Sequence, residues 1–357
     1  MTKIQNFLSV MDDKDLHLIS DGKGSGEFTG FIDTGCYVLN AALSGSIYGG
    51  MVDNKVVAIA GEEATGKTFI ALGIAKYFLD KNPEGAVFLF ETEGAITREM
   101  LTERGIDTDR VILGEPVTVQ EFRHKAITAI DNYMKIKQND RPPLLFILDS
   151  LGQLSTTKEM EDTAEGKETR DMSRAQVIKA TFRVLNLRLA RAKIPLIVTN
   201  HVYDAVGAYI PTKVMSGGSG LKYTASQILF LSKTKDKDGK DVQGVFIKFR
   251  IIKSRLTKEN QMVTTKLSYK TGLDRYYGLL ELAEKYELVK KLSNRYELPD
   301  GTKQYEKTIY ADPEKFFTKE LLDQIDLAAA KEFKYGDGEQ SEHDDDIRDD
   351  DTEVRAE

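Results

Sequence analysis

The chain has 357 residues, room for one large core with small additions, because single cores stop growing near roughly 250–300 residues. With 41% hydrophobic and 30% charged residues it has the balance of a soluble α/β protein and not that of a fibrous or disordered chain. No apolar run nears the roughly 20 residues of a membrane helix, the opening decapeptide lacks a secretory signal, and one cysteine, Cys36, allows no intramolecular disulfide, so a cytoplasmic protein without membrane contact is expected.

Residues 1–30 contain a weakly amphipathic segment and then Asp-Gly-Lys-Gly-Ser-Gly, a flexible connector. They are expected to form an arm that docks on a neighbouring copy of the chain. Over 31–271 short β-branched runs alternate with longer segments of helical period, the pattern of a mainly parallel twisted sheet covered by helices. Strands are expected at 56–60, 86–91, 144–149 and 195–199, with helices at 68–81, 119–137 and 173–192 between them. Runs at 228–232, 244–253 and 262–268, with a turn at Asp238-Gly239, read as a hairpin extending the sheet. Residues 272–332 read as a small α+β subdomain, with short helices around 279–290 and a hairpin near 296–310. Residues 333–357 are expected to be a disordered tail. From 335 to 357 eleven acidic residues face only Arg348 and Arg355, so this stretch carries −9 of a net −7 and the remainder is +2. The body is thus not hostile to a polyanion, and the tail is a candidate competitor for its basic surface.

The most specific motif is Gly61-Glu62-Glu63-Ala64-Thr65-Gly66-Lys67-Thr68. It matches G-x-x-x-x-G-K-S/T, follows an expected strand and opens an expected helix. Backbone N–H groups at such a turn curl around phosphate oxygens, a lysine reaches the β- and γ-phosphates, and the following hydroxyl binds Mg²⁺. ATP and Mg²⁺ are the expected ligands, and Phe69 is grouped with this run. Asp149, ending the apolar run from Leu144, is the candidate carboxylate for the metal. Hydrolysis also needs a base to polarise water. Glu91 and Glu93 both stand at the end of the strand 86–91, and spacing alone does not separate them.

Segments 155–171 and 202–223 are too long for simple connections. The second mixes glycines (Gly217, Gly218, Gly220), cations (Lys213, Lys222) and apolar groups (Tyr203, Val206, Tyr209), which suits a stretched single strand of nucleic acid. The first is acidic, with Glu159, Glu161, Asp162, Glu165 and Glu168. Lys253 and Arg255, two residues apart on an expected strand, could reach one anion or protect a sheet edge.

These elements, together with Ile32-Asp-Thr-Gly-Cys-Tyr-Val-Leu-Asn-Ala-Ala-Leu43, resemble the RecA/Rad family of recombinases over about 31–280. Asp149-Ser-Leu-Gly-Gln-Leu, Thr199-Asn200-His201 and Lys253-Ser254-Arg255 look most like its bacteriophage UvsX branch. The resemblance implies a RecA-like ATPase core with Glu93 as catalytic base and Glu91 in support. It implies that Met100 stands where relatives carry an adenine-stacking aromatic, and that His201 stands at the position of a γ-phosphate sensor. It further implies that Arg174, Val206, Gly217 and Gly218 contact DNA, and that Lys253 and Arg255 reach the nucleotide of the adjoining subunit. The expected activity is single-stranded-DNA-dependent ATP hydrolysis, with pairing of that strand and a homologous duplex inside a helical filament. A single-strand-binding protein and a loading mediator are the expected partners. A ring helicase with the same core usually brings a substantial N-terminal domain, whereas about thirty residues precede the core here. A mediator without exchange activity would be expected to lose Glu93, Lys253 or Arg255, and all three are present.

Overall fold

Strands whose every side chain is apolar or small have no polar face to turn to water, so they settle in the middle of a sheet covered on both sides. Val56–Gly61 is buried from end to end in this way, and so is Leu144–Asp149, apolar apart from its one charged side chain, the Asp149 at its carboxyl end. The computed structural model describes residues 2–11, 16–22, 24, 26–167, 171–204, 213–238, 241–269 and 272–336.

In chain order the first elements are α1 (Lys3–Val10), β1 (Phe31–Ile32), α2 (Tyr37–Ser44) and β2 (Met51–Val52). Next come β3 (Val56–Gly61), α3 (Lys67–Lys81), β4 (Ala86–Glu91), α4 (Arg98–Glu103), β5 (Val111–Gly114), α5 (Val119–Lys135) and β6 (Leu144–Asp149). They are followed by α6 (Thr157–Ala164), α7 (Arg174–Ala192), β7 (Leu196–Asp204), β8 (Lys213–Met215) and α8 (Gly220–Thr224). Three long strands and a short one close the sheet: β9 (Gln227–Asp238), β10 (Asp241–Ser254), β11 (Met262–Ser268) and β12 (Gly272–Leu273). Last are α9 (Leu279–Lys285), β13 (Lys290–Leu292), β14 (Arg295–Glu297), β15 (Lys303–Tyr305), α10 (Glu306–Ala311), α11 (Pro313–Phe316) and α12 (Lys319–Phe333).

Among the described residues ten strands form one sheet in the order β12-β11-β10-β9-β3-β7-β6-β4-β5, with β8 paired to β7. The strands from β9 to β5 in that order are parallel, and β8, β10, β11 and β12 are antiparallel to their neighbours. This is the α/β core the sequence leads one to expect. Parallel order brings the carboxyl ends of β3, β7, β6 and β4 to one edge: Gly61 pairs with His201, and Glu91 with Asp149. Ligands of open α/β sheets bind at such an edge.

One face of the sheet is covered by α2, α3 and the C-terminal helices in a continuous apolar cluster that includes Leu39, Ile74, Leu321, Ile325 and Phe333. The other is covered by α5 and α7 through Phe122, Ile130, Phe182 and Leu185. Asp326 fastens α12 to the loop after α2 by accepting from Ser46 Oγ at 2.7 Å and Ile47 N at 2.8 Å. Cys36 is fully buried beside Thr265 Oγ1 (3.3 Å), as a small packing residue should be. By contrast α1, closed by a Thr2–Gln5 capping box, buries nothing and leaves Ile4, Phe7 and Val10 exposed. No helix among the described residues is long and apolar enough to cross a membrane.

Several local expectations change. The strand expected at 195–199 runs on to Asp204, because residues 202–204 pair with β8. The two segments read as irregular contain α6, and β8 with α8, respectively. The helix expected to 137 stops at Lys135, and the C-terminal hairpin pairs 295–297 with 303–305 before α10 begins at Glu306. Val206, Tyr209, Glu168, Gly239 and the acidic tail from 337 onwards lie outside the described residues.

Candidate active site

The phosphate loop leaves β3 at Gly61 and enters α3 at Lys67. Gly66 caps that helix at φ 95°, a left-handed conformation that a side chain would strain. Lys67 is buried, and its Nζ donates to the carbonyls of Gly61 (3.2 Å) and Glu62 (2.8 Å). Burial pushes the pKa of this ammonium down, while the charges of Asp149, Glu93 and Glu63 oppose that shift. A desolvated cation held by loop carbonyls is well placed to exchange them for phosphate oxygens.

Asp149 ends β6 in a buried position and accepts from the hydroxyls of Thr199 and Thr68. Burial raises its pKa, the two hydroxyl bonds lower it, and the nearby Glu93 and Glu91 raise it again. Among the described residues no group of three or more His, Cys, Asp or Glu side chains is arranged to hold a metal. One carboxylate beside one hydroxyl nevertheless fits Mg²⁺, which takes few protein ligands and completes its shell with phosphate and water.

Glu91 and Glu93, which spacing could not separate, occupy different environments. The buried Glu91 carboxylate accepts from the backbone N–H groups of Glu93 (3.0 Å), Gly94 (2.7 Å) and Ala95 (3.1 Å), so it is consumed in shaping the turn after β4. Glu93 is partly exposed; its Oε1 accepts from Ser150 Oγ at 2.8 Å and lies 3.4 Å from His201 Nε2. Thr92 fixes this arrangement by donating to Ser150 O (3.0 Å) and accepting from Ser150 N (2.8 Å).

His201 continues β7 past the buried Asn200. Asn200 Nδ2 donates to Ser216 O at 2.9 Å, and its Oδ1 accepts from Ser216 Oγ (2.6 Å) and His201 N (2.9 Å). The backbone of His201, whose ring lies beside Glu93, is thus linked to the start of the glycine-rich stretch, through the Asn200 side chain and by its own carbonyl accepting from Ser216 N at 3.0 Å. Gly217 and Gly218 have φ of 81° and 75° and press against α7. Arg174 donates to Gly152 O (2.9 Å) and Leu154 O (3.0 Å), tying α7 to the segment after β6. Lys213 Nζ lies 2.7 Å from Glu62 Oε1 and 2.8 Å from Asp204 Oδ1. Met100 lies in α4, its carbonyl accepting from Arg104, whose guanidinium stands 5.3 Å over the Phe69 ring.

Lys253 and Arg255 are not gathered at this edge. Ser254 pairs with Gln227, which pairs with Val57, whereas Gly61 pairs with Leu231. The two cations therefore lie at the opposite end of the sheet, about 13 Å of strand away at ~3.3 Å per residue. Only Lys253 lies on the strand expected to carry both, because β10 ends at Ser254 and Arg255 follows it. Lys253 Nζ donates to the carbonyls of Lys222 (2.8 Å) and Tyr223 (3.2 Å) at the end of α8.

Sequence reasoning missed a cleft of about 1080 Å³ between the phosphate loop, β8 and the β9–β10 face, lined by Tyr203, Lys213, Lys233, Lys248 and Arg250 among others. The alternation of Lys248 and Arg250 was a visible signal that they share a face.

The sequence profile of the RecA N-terminal domain matches residues 18–274. The recombination and repair protein of Enterobacteria phage T4 is 31% identical over 257 residues, which are 72% of this chain and 64% of that protein, so the match spans less than two thirds of that relative. Protein RecA of Malacoplasma penetrans is 26% identical over 266 residues, 73% of this chain and 75% of that protein. The crystal structure of the RadB recombinase aligns with a TM-score of 0.49 at 23% identity, covering 69% of this chain and 99% of that one.

Proposed function

The chain belongs to the RecA N-terminal domain family, and from that premise we propose that it is an ATP-dependent DNA recombinase acting in recombination, repair and recombination-dependent replication. It forms a filament on single-stranded DNA, hydrolyses ATP there, and pairs the strand with a homologous duplex. The observation that carries this reading is the carboxylate pair at the end of β4. Glu91 is spent on three backbone N–H groups, which leaves Glu93 beside Asp149, His201 and the phosphate loop as the group available to polarise water.

In this reading Gly61–Thr68 and Phe69 hold the nucleotide, with Lys67 turning from the loop carbonyls to the phosphates. Thr68 and Asp149 hold Mg²⁺, which neutralises phosphate charge when bound. Met100 lies toward the base. His201, joined to Ser216 through Asn200, passes the state of the site to the stretch carrying Lys213, Gly217 and Gly218. That stretch, with Val206 and Arg174, meets the DNA. Lys253 and Arg255 are too far from their own phosphate loop to serve it, and they act on the nucleotide of the next subunit. Nucleotide state thus shifts a population of DNA-binding conformations. A phage origin, the host cytoplasm, a single-strand-binding protein and a loading mediator complete the proposal.

The test is Glu93→Gln. It should retain ATP and single-stranded DNA binding while DNA-stimulated hydrolysis falls by about 10²-fold or more, the usual scale of a lost general base. Undiminished turnover in Glu93→Gln, with turnover lost in Glu91→Gln, would move the role to Glu91.

A further inference from the structure

Glu62 is held from two sides. Its carbonyl accepts from Lys67 Nζ at 2.8 Å and from Thr65 Oγ1 at 2.9 Å, inside the phosphate loop. Its carboxylate pairs with Lys213 at 2.7 Å, outside that loop. Lys213 is paired in β-register with Asp204 and bonded to its carboxylate at 2.8 Å, so one ammonium joins the β7–β8 hairpin to the phosphate loop. The bonds to Asp204 and Glu62 push the pKa of Lys213 up, which keeps it fully charged. The same ammonium lines the cationic cleft with Lys233, Lys248 and Arg250.

We propose that Glu62 is an autoinhibitory latch: it withholds Lys213 from DNA phosphates until nucleotide rearranges the loop. The proposal rests on the reading of the chain as a DNA-binding ATPase. Phosphates that draw Lys67 off the Glu62 carbonyl loosen residue 62 and, with it, the carboxylate that holds Lys213. Conversely, a DNA phosphate that takes Lys213 releases Glu62, so each ligand favours the other by the same factor, as linkage requires. Exposed ion pairs are weak, which sets the scale at about two- to five-fold in affinity.

The experiment compares oligo-dT affinity of the full chain with and without ATP and Mg²⁺ in the wild type and in Glu62→Gln, Glu84→Gln, Lys213→Ala and Glu62→Gln/Lys213→Ala. Glu84→Gln removes the same charge from an exposed turn between α3 and β4, away from the phosphate loop. In Glu62→Gln the nucleotide-free affinity should rise about two- to five-fold, so the stimulation by ATP shrinks correspondingly. Glu84→Gln should leave the stimulation as in the wild type, and Glu62→Gln should add nothing once Lys213 is alanine. An unchanged ratio in Glu62→Gln, or the same gain in the Lys213→Ala background, would overturn the latch. Amide hydrogen exchange without DNA gives an independent arm: Glu62→Gln should speed exchange over 213–215, and unchanged protection there would also overturn it. A wild type that binds no oligo-dT even with ATP would instead refute the DNA-binding reading, while the exchange arm would still judge the latch.

Discussion

Asp149 is a carboxylate at the buried end of β6, where desolvation raises its pKa and the hydroxyls of Thr199 and Thr68 offset only part of that shift. A raised folded pKa means that the charged form opposes folding. The stabilising contribution is fully present below the unfolded value near 3.8 and is lost as pH rises through the higher folded value. Asp149→Asn should therefore melt at a higher temperature than the wild type at neutral pH without nucleotide, and the gap should close as the solution is made acidic. The same variant should lose Mg²⁺-dependent ATP binding, a trade of stability against function. Calorimetry across pH decides the matter, and a variant less stable than the wild type at neutral pH would contradict it. Glu91 shows the opposite use of a carboxylate, since its three N–H donors fix the turn that carries Glu93.

At the scale of elements, the glycines after β8 have a packing reason as well as a proposed DNA role. A Cβ on Gly217 would sit 2.8 Å from Ile178 Cδ1 of α7, at a φ of 81°. Gly217→Ala is expected to cost about 1–2 kcal/mol from the left-handed backbone alone. Urea unfolding measures this, and adding Ile178→Val should recover the part due to the contact. A loss of DNA affinity with stability unchanged would mean that Gly217 meets the DNA directly. Elements of this kind were unevenly legible in the sequence. The strands β3, β4 and β6 could be read nearly to the residue, because unbroken apolar runs between polar turns have one place to go. The helix α2 was not, since all eight of its residues are buried, its polar Asn40 and Ser44 included, and no solvent-facing stripe marks a period. The helix α6 was hidden among acidic residues, although the Thr156–Glu159 capping box announces its start. The glycine-rich turn between β3 and α3 could be read because the motif G-x-x-x-x-G-K-S/T has a fixed order and a fixed place between strand and helix, whereas spacing could not separate Glu91 from Glu93. The Glu62–Lys213 pair and the cleft could not, because they depend on which strands become neighbours.

For the whole molecule, the polarity of the sheet separates two groups of charged residues. Gly61–Thr68 and Glu93 stand at the carboxyl edge of the parallel strands, and Lys253 and Arg255 stand at the other. The head-to-tail repeat proposed above would bring one copy's cations to the next copy's phosphates, the kind of contact that builds open helical assemblies. The exposed apolar side chains of α1 offer such a repeat a further contact. Lys67→Ala and Arg255→Ala should each be nearly inactive in DNA-stimulated hydrolysis, yet a mixture of the two should regain activity, because one supplies the cation and the other the phosphate loop. Failure to regain it in filaments that contain both would contradict a shared site.

The central claim is tested most directly by ATP-dependent pairing of a labelled single strand with a homologous supercoiled duplex, in the presence of a single-strand-binding protein and with a heterologous duplex as control. Joint molecules that require both homology and ATP are the expected result. DNA-stimulated hydrolysis without joint molecules would contradict the assignment as a recombinase, and unwinding of a duplex under the same conditions would favour a helicase built on the same core.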